Sequence, residues 1–589
     1  MISHAHLWRC CLPGLLVAAL LVACPIHPVS AHANLVRSDP PAGAVLTEAP
    51  TEIVLEFSEE LDPSFTNLTL FNAEGEALVE NQAVVDPAAP RTLRLNLSNL
   101  PDGTYVLLSN GTYSAVWQAL SAVDGHVTKG SIGFSVGESS PPASLLPPPG
   151  TPDPATELPP PANAIIRWYS FALVAITTGS LLFGLFVWRP AYLQHARSTY
   201  EAANARATKT LRYIALAGIF QLVIATLLSM AIQTSEASGG SVWAAFTAPS
   251  QLFAGRAGVL AGVRLGLLVV LAIATLKLPA GGTGHVGMWW LALVPTGGVL
   301  LTFSLQSHSA ATGSPLFVAL DWLHLVAMSA WLGGLLPLAV LLWQMRNTHG
   351  LPAPTLISRF STVAMASVAT LALTGVVTAT LHVRAFDALL DTTYGRTLMI
   401  KVGLFVVLVV LGAINLLVLS PQLRGAGERA SETVLPRFDR TVRAELAVGL
   451  LVLMATGVLT AARPAGEALD ARRSYGFAES ARIGDVTMVL RVAPAQAGYN
   501  EFGIDITDRR PGTTNTAASV LLRFTAVGGD MGASHDMGVT QVEATTTDGR
   551  RYIARGSYLS MQGTWQIEVI LRQSGLDDVR HTFNLTVAK

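Results

Sequence analysis

Residues 397–419 read TLMIKVGLFVVLVVLGAINLLVL, and Lys401 is the one charged residue in this run. A helix needs about 20 predominantly apolar residues to cross the hydrocarbon core of a bilayer. The run therefore predicts a membrane-spanning helix. Seven further runs of this kind lie at approximately residues 164–188, 211–233, 254–276, 287–306, 317–343, 358–383 and 442–462. Together they predict a bundle of eight transmembrane helices over residues 163–465.

The composition of the whole chain agrees with several membrane spans. Of the 589 residues, 51% are hydrophobic and 13% are charged, and the formal net charge is −1. So low a charged fraction is unusual for a soluble protein of this length. The near-neutral balance supports no large basic patch, which argues against a nucleic-acid partner. The lipid bilayer is the partner that the composition predicts.

Both flanks of the apolar region alternate apolar and polar positions. Residues 52–57 and 565–571 are examples, and this period of two is typical of short β-strands. The pattern predicts an all-β sandwich over residues 32–137 and a second β-sandwich over residues 475–589. The Pro-rich residues 138–162 predict a semi-rigid linker. The fold class is therefore a multidomain membrane protein with two exported β-sandwiches around an eight-helix transmembrane bundle.

The N-terminus has the features of an exported chain. An apolar core at residues 15–22 and small residues before the bond after Ala31 predict a signal peptide over residues 1–31. Cleavage there would make His32 the new N-terminus, and it would remove all three cysteines. The sequence around Cys24 is alternatively typical of a lipoprotein processing site, which would leave His32 internal.

Basic residues in the connections predict the orientation of the bundle. With the first β-domain outside, the outside connections carry Arg384 and Arg396. The inside connections carry thirteen basic residues: Arg189, Arg197, Arg206, Lys209, Arg212, Lys277, Arg346, Arg359, Arg424, Arg429, Arg437, Arg440 and Arg443. Because basic residues concentrate in cytoplasmic connections, we expect a multi-pass protein of the cytoplasmic (inner or plasma) membrane with both terminal domains outside.

Residues 117–126 read WQALSAVDGH. On its own this stretch is also typical of an ordinary turn between two strands, because Asp and Gly suit tight turns. It occurs together with HANLVRSDPPAGA at residues 32–44, IVLEFS at residues 53–58 and GSIGFSV at residues 130–136. This combination resembles the periplasmic copper-binding CopC family across residues 32–137.

The resemblance implies a copper(II) site at His32, Asp124 and His126. In the CopC family the mature N-terminal His and the Asp and His of the D-G-H motif are the ligands. An N-terminal His offers its α-amine and imidazole nitrogens, and a tetragonal set of nitrogen and oxygen ligands suits copper(II). Residues 32–137 contain no Met, so the Met-rich copper(I) site of some relatives is missing here.

The second half of the apolar region contains polar motifs. Residues 307–311 read SHSAA, residues 321–324 read DWLH, and residues 393–401 read TYGRTLMIK. The segment at residues 300–465 resembles the CopD family of copper-resistance membrane proteins.

Ionisable residues within a bilayer are expensive and usually face a cavity or a partner. We therefore interpret His308, His324 and Asp321 as a copper path through the membrane. The same argument makes three further residues candidates: His382, Lys401 and Glu445. Two alternatives stay open. Asp321, Arg396 and Lys401 would lie at the interface, where they reach the headgroups or pair with one another, and Glu445 would be solvated near the inner side.

The last domain contains a group of soft metal ligands. Met531, His535, Met537 and Met561 suit copper(I), although exposed methionines on a Gly-rich loop would give the same pattern. Two stretches, PAQAGYN at residues 494–500 and LSMQGTW at residues 559–565, resemble YtkA-like domains.

These observations predict a copper homeostasis protein that binds copper(II) outside the membrane and imports copper. An exported copper chaperone is an expected partner. The alternatives are a copper sensor or delivery factor for exported cuproenzymes, and an oxidative enzyme with a histidine-brace site. Asp124 as a third ligand would occupy the position that oxygen chemistry needs, so we expect no enzyme activity. The chain has neither a Walker A motif nor a Cys-Pro-Cys span motif, which argues against an ATP-driven pump.

Overall fold

The structure is a computed structural model. It describes residues 33–42, 44–72, 76–123, 125–137, 156–195, 197–238, 240–278, 286–345, 353–383, 386–425, 428–474, 477–493, 495, 497–508, 519–527, 534–537, 550–561, 563–572 and 576–587. Three parts follow one another along the chain: a β-domain, a helical region and a second β-domain.

The N-terminal domain is a sandwich of two sheets. Its described strands are β1 (Leu35–Asp39), β2 (Val45–Leu46), β3 (Glu52–Phe57), β4 (Asn67–Phe71), β5 (Ala77–Glu80), β6 (Val84–Val85), β7 (Thr92–Asn96), β8 (Gly111–Leu120) and β9 (Val127–Val136). One sheet has the order β1-β3-β7-β6 and the other β2-β9-β8-β4-β5. The predicted sandwich is confirmed.

The alternation in β3 shows why this segment forms a strand of a sandwich. Ile53, Leu55 and Phe57 are buried, whereas Glu52 and Glu56 between them are exposed. Successive side chains of a strand point to opposite faces of the sheet, so one face of β3 enters the core. Phe57 meets Trp117 of β8 there, edge to face, with ring centroids 5.0 Å apart. The sandwich therefore buries the same aromatic residue that opens the motif of residues 117–126.

The middle of the chain is helical. Its helices are Pro161–Phe183, Gly184–Trp188 (π), Arg189–Leu193, Arg197–Ser238, Val242–Ala245, Pro249–Leu252, Gly255–Leu276, Val286–Ser304, His308–Ala311, Pro315–Met345, Ala353–Val383, Asp387–Asp391, Thr393–Ile414, Asn415–Leu419 (π), Ser420–Gly425, Glu428–Ala461 and Ala465–Ser474. Within the described residues, eight segments are long and apolar enough to cross a membrane, as predicted. We call them the first to eighth spans: Pro161–Leu193, Tyr200–Ser238, Gly255–Leu276, Val286–Ser304, Pro315–Met345, Ala353–Thr380, Thr393–Leu423 and Val434–Ala461.

The first and fifth spans lie at the centre of the bundle and approach each other closely. A Cβ atom at Gly333 would collide with the backbone carbonyl of Ala175, and one at Gly179 would collide with the backbone of Gly333. Small residues at such a crossing allow two membrane helices to pack backbone against backbone. The crossing fixes the position of the fifth span, which bears Asp321 and His324.

A polar network lies in the half of the bundle away from the first β-domain. Asn415 opens a π-helical turn, Asn415–Leu419. Its amide nitrogen donates a hydrogen bond of 2.5 Å to Glu445, and its amide oxygen accepts one from Thr441. Glu445 is only 3% exposed, so its interpretation as a solvated side chain is wrong.

The C-terminal domain is a second sandwich. Its described strands are β10 (Phe477–Ile483), β11 (Val486–Ala493), β12 (Gly498–Asp508), β13 (Ser519–Val527), β14 (Ser534–Met537), β15 (Arg550–Leu559), β16 (Gly563–Arg572) and β17 (Val579–Val587). They form the sheets β10-β11-β12-β15 and β14-β13-β16-β17. The rings of Phe502 and Phe524, one from each sheet, meet in the core with centroids 4.9 Å apart. The predicted second β-sandwich is confirmed.

Candidate metal site

The turn between β8 and β9 bears His126. The strands pair as far as Leu120 and Val127, and the backbone amide of Ser121 donates to the carbonyl of His126 at 3.0 Å. The Ser121 hydroxyl also donates to the buried Glu59 carboxylate at 2.5 Å. Gly125 has a φ of +72°, which is a left-handed conformation that favours glycine. The turn therefore has a defined shape that holds His126 at one end of the sandwich.

This end of the sandwich is hydrogen bonded to the second span. The Gln233 side-chain amide donates to the carbonyl of Gly125 at 2.9 Å. In the reverse direction, the side-chain amide of Gln118 in the β-domain donates to the carbonyl of Ala237 in the second span at 2.7 Å. A Cβ atom at Gly125 would overlap the Gln233 amide. Two glutamines, one on each side of the contact, thus dock the β-domain on the helical region.

Docking brings together three histidine rings from distant parts of the chain. His126 stacks on His308 with ring centroids 5.3 Å apart and an interplanar angle of 17°. The His308 ring is in turn 6.0 Å from that of His382, and Tyr394 stacks on His382 at 6.1 Å. His308 begins the short helix between the fourth and fifth spans, and His382 lies in the last turn of the helix Ala353–Val383. Both are buried.

Arg167 of the first span contacts the same histidine of the β-domain. Its Nη2 atom lies 3.4 Å from Nε2 of His126. A guanidinium group can only donate hydrogen bonds, so Nε2 of His126 presents its lone pair to Arg167. The contact places a permanent positive charge beside a candidate metal ligand.

Hydrogen bonds also define the tautomers of two histidines in the helical region. Nδ1 of His382 lies 2.7 Å from the carbonyl oxygen of Thr378 and must donate to it. Nδ1 of His324 lies 2.7 Å from the Thr374 hydroxyl, which itself donates to the carbonyl of Thr370. His324 is therefore the donor as well. In a neutral ring the lone pair then lies on Nε2, and an anchored Nδ1–H is the usual support of a metal-binding histidine.

Asp321 belongs to the same neighbourhood. Its carboxylate interacts electrostatically with Lys401 of the seventh span and with His308. Lys401 also acts on His324. The three residues that the sequence predicts as a copper path, His308, Asp321 and His324, thus lie in one region of the bundle together with Lys401.

The other predicted ligands are not assembled in the described part of the chain. His32, Asp124 and Met531 lie outside the described residues. His535 and Met537 lie in β14, paired with Phe524 and Leu522 of β13. Met561 is 46% exposed between β15 and β16. Among the residues that the structure describes, no three His, Cys, Asp or Glu side chains are close enough together to hold one metal ion.

Sequence reasoning misses three residues of this region: Arg167, Gln118 and Gln233. The two glutamines carry no recognisable signal, because an amide side chain is ordinary both on a strand and near a helix end. Arg167 does carry one. It lies near the end of the first span that contacts the first β-domain, which the sequence predicts to be outside and where the positive-inside pattern disfavours a basic residue.

Three known families match consecutive parts of the chain. They are the CopC domain at residues 35–137, the N-terminal domain of copper resistance protein D-like proteins at residues 157–315, and Copper resistance protein D at residues 354–459. The resemblance to CopC and CopD is thereby confirmed. These matches end at residue 459, so the resemblance of the last domain to YtkA-like domains stays a prediction.

Similar proteins are found along most of the chain. Copper transport protein CutJ of Bacillus subtilis is 28% identical over 489 residues, which cover 81% of this chain and 82% of CutJ. Inner membrane protein YebZ of Escherichia coli is 32% identical over 145 residues, 24% of this chain and 47% of YebZ. Protein YobA of E. coli is 34% identical over 119 residues, 20% of this chain and 90% of YobA.

Two solved structures correspond to the first β-domain. CopC from Methylosinus trichosporium OB3b has 27% identity and covers 18% of this chain and 93% of its own, with a TM-score of 0.16. PcoC, a methionine rich copper resistance protein from E. coli, has 30% identity and covers 18% and 98%, with a TM-score of 0.15. The protein therefore contains a CopC domain and Copper resistance protein D domains in one multi-pass membrane chain.

Proposed function

We propose that the protein captures copper(II) outside the membrane at His32, Asp124 and His126, and passes copper inward through the spans. The observation that supports this most directly is the stacking of His126 on His308 at 5.3 Å. One ring belongs to the CopC domain and the other to the connection between two spans. Capture and entry into the membrane domain therefore occur at one place, and an exported chaperone is the proposed copper donor.

The residues beyond His308 are suited to a cation. His324 lies nine residues after Pro315, where the helix begins, which is about 14 Å along its axis at the standard helical rise. Its neutral imidazole can bind copper without adding a stranded charge to a region of low dielectric constant. The Thr374 hydroxyl holds the ring in one orientation. His324 is therefore the proposed ligand deeper in the membrane.

The carboxylate of Asp321 reduces the repulsion that Lys401 would exert on copper along this route. Lys401 places a positive charge near His324 and would repel copper. Asp321 interacts electrostatically with Lys401, so the ionised carboxylate counters part of that charge. The proposed route is thus lined by a carboxyl group as well as by a cation. The relative CutJ is a copper transport protein, which supports movement of copper along this route.

Cytosolic copper measured by mass spectrometry tests the proposal. Cells that produce the protein should accumulate more cytosolic copper than cells without it, and His324→Ala should abolish the difference at normal membrane abundance. His195→Ala is the matched control, because His195 lies at the opposite end of the first span from Arg167. If cytosolic copper is unchanged and an exported cuproenzyme is better loaded with copper, the protein delivers copper outside the membrane and does not import it.

A further inference from the structure

We propose that His308 and His382 form a second copper site, which accepts copper(II) from His126. This inference rests on the proposed function and adds a residue, His382, to its route. The two ring centroids are 6.0 Å apart. Because metal–imidazole bonds are about 2 Å long, both rings can reach one ion placed between them. The 5.3 Å separation of His126 and His308 makes His308 the shared member of the donor and acceptor sites.

The orientation of His382 is already that of a metal ligand. Its Nδ1–H is held by the carbonyl of Thr378, so Nε2 carries the lone pair. Such an anchor raises the basicity of the ligand and fixes the ring. His195 makes the same kind of bond to Ala191 at 2.9 Å, but its ring neighbour is Tyr200. A hydrogen bond from Nδ1 to a backbone carbonyl therefore does not by itself indicate a metal site. The second imidazole beside the anchored ring of His382 does.

Arg167 favours release from the donor site. Its guanidinium faces Nε2 of His126 at 3.4 Å in the docked arrangement. A copper(II) ion bound to that nitrogen would lie close to a permanent positive charge, and the repulsion is strong where water is scarce. Docking therefore weakens the hold of His126 on copper while it brings His308 into contact.

Two carboxylates lower the cost of a dication at the acceptor site. Asp321 interacts electrostatically with His308. Glu467, which is 3% exposed, lies near enough to act electrostatically on Tyr394, the residue stacked on His382. A buried cation is tolerated where opposite charges and lone pairs surround it. The acceptor site has both.

The proposed step is a ligand exchange. The copper bonds to His126, His32 and Asp124 break, and bonds to Nε2 of His382 and to a ring nitrogen of His308 form. Copper stays in its +2 state and no electron is transferred. The accepting imidazoles bind through existing lone pairs, so no proton has to leave them, and the α-amine of His32 takes up a proton once copper has left it. A site of two imidazoles holds copper less tightly than a full set of four ligands. Copper can therefore leave this site again and continue along the route.

The experiment uses the full-length protein in lipid nanodiscs with the capture site disabled. His126→Ala together with one extra residue ahead of His32 removes that site, and copper(II) chloride is the probe. We expect one copper(II) per chain to remain, with imidazole nitrogen couplings in its electron paramagnetic resonance spectrum. Adding His382→Ala or His308→Ala should weaken this binding about tenfold or more. His195→Ala in the same background is the control and should leave it unchanged.

Two results would overturn the acceptor site. One is a capture-disabled chain that binds no copper, and the other is full binding after the loss of His382. His382→Gln keeps the side-chain size and reveals whether a loss of copper reflects a loss of packing, with helix content by circular dichroism as the readout. The proposed function has a separate readout. If cytosolic copper still rises with the intact protein, import stands even where the acceptor site fails.

Discussion

The two β-domains have similar architectures and place their candidate ligands differently. In the N-terminal domain the β8–β9 turn is hydrogen bonded to the second span and stacks His126 on His308. In the C-terminal domain, by contrast, Arg523 of β13 pairs with Glu568 of β16 in the same domain at 2.9 Å. Its described candidate side chain, Met561, is 46% exposed.

This difference teaches that the sandwich itself does not determine the role of a domain. Both domains bury an aromatic pair between two sheets, and a fold of this kind supports many functions. The N-terminal domain is distinguished by a turn that presents a carbonyl to Gln233 and an imidazole to His308. Docking, rather than architecture, connects that domain to the membrane.

The largest expected effect is the loss of the capture site. One extra residue ahead of His32 removes the terminal amine from the ligand set, and His126→Ala removes an imidazole. Each change should weaken copper(II) binding to the first β-domain about 100-fold or more. Isothermal titration of the purified protein measures it. His581→Ala in the C-terminal domain is the control. If the extended chain binds copper(II) as tightly as the native one, the terminal amine is not a ligand.

Replacing Arg167 should change the copper(II) affinity of the capture site less, and should raise it rather than lower it. Arg167→Gln removes the charge beside Nε2 of His126, so copper(II) should bind about tenfold more tightly there, which corresponds to about 1.4 kcal/mol of relieved repulsion. Uptake into the cytosol should fall at the same time, because release slows. Arg167→Lys keeps the charge and is the matched control. Weaker binding in the Gln variant would show that Arg167 supports the site instead of opposing it.

The sequence predicts the spans and sandwiches well, because burial leaves a periodic pattern in each segment. The run at residues 397–419 and the alternation at residues 52–57 are both local. The docked site, in contrast, depends on contacts between residues that are distant in the sequence. His126 and His308 lie far apart in the chain, and neither periodicity nor spacing indicates that a turn of a β-domain rests on a loop between spans. His382 is recognisable only as an ionisable residue in an apolar run, without its partner.

Loss of a hydrogen bond at the docking contact should lower copper uptake by a moderate amount. Gln233→Ala removes the donor to the carbonyl of Gly125, and a hydrogen bond of this kind contributes about 1 kcal/mol, or about fivefold in the docking equilibrium. Uptake should fall several-fold at low copper and recover at high copper. Gln344→Ala, which removes a bond to Thr210 instead, is the control.

Cross-linking measures the same equilibrium directly. After residue 24 the chain has no cysteine, so Gln118→Cys with Ala237→Cys introduces a single pair across the contact. We expect Gln233→Ala to lower the yield of that disulfide when it is added to the pair. An unchanged yield would mean that the Gln233 bond does not contribute to docking.

The smallest effect is expected from the C-terminal domain. The sequence predicts a copper(I) site at Met531, His535, Met537 and Met561, which is separate from the docked histidines. Replacing the three methionines by leucine preserves side-chain volume, and such swaps usually cost less than about 1.5 kcal/mol. We expect copper(I) binding by the C-terminal domain to be lost under anaerobic, reducing conditions, while cytosolic copper stays within about twofold. A loss of uptake as large as that of His324→Ala would place this domain on the route and remove the contrast between the two sandwiches.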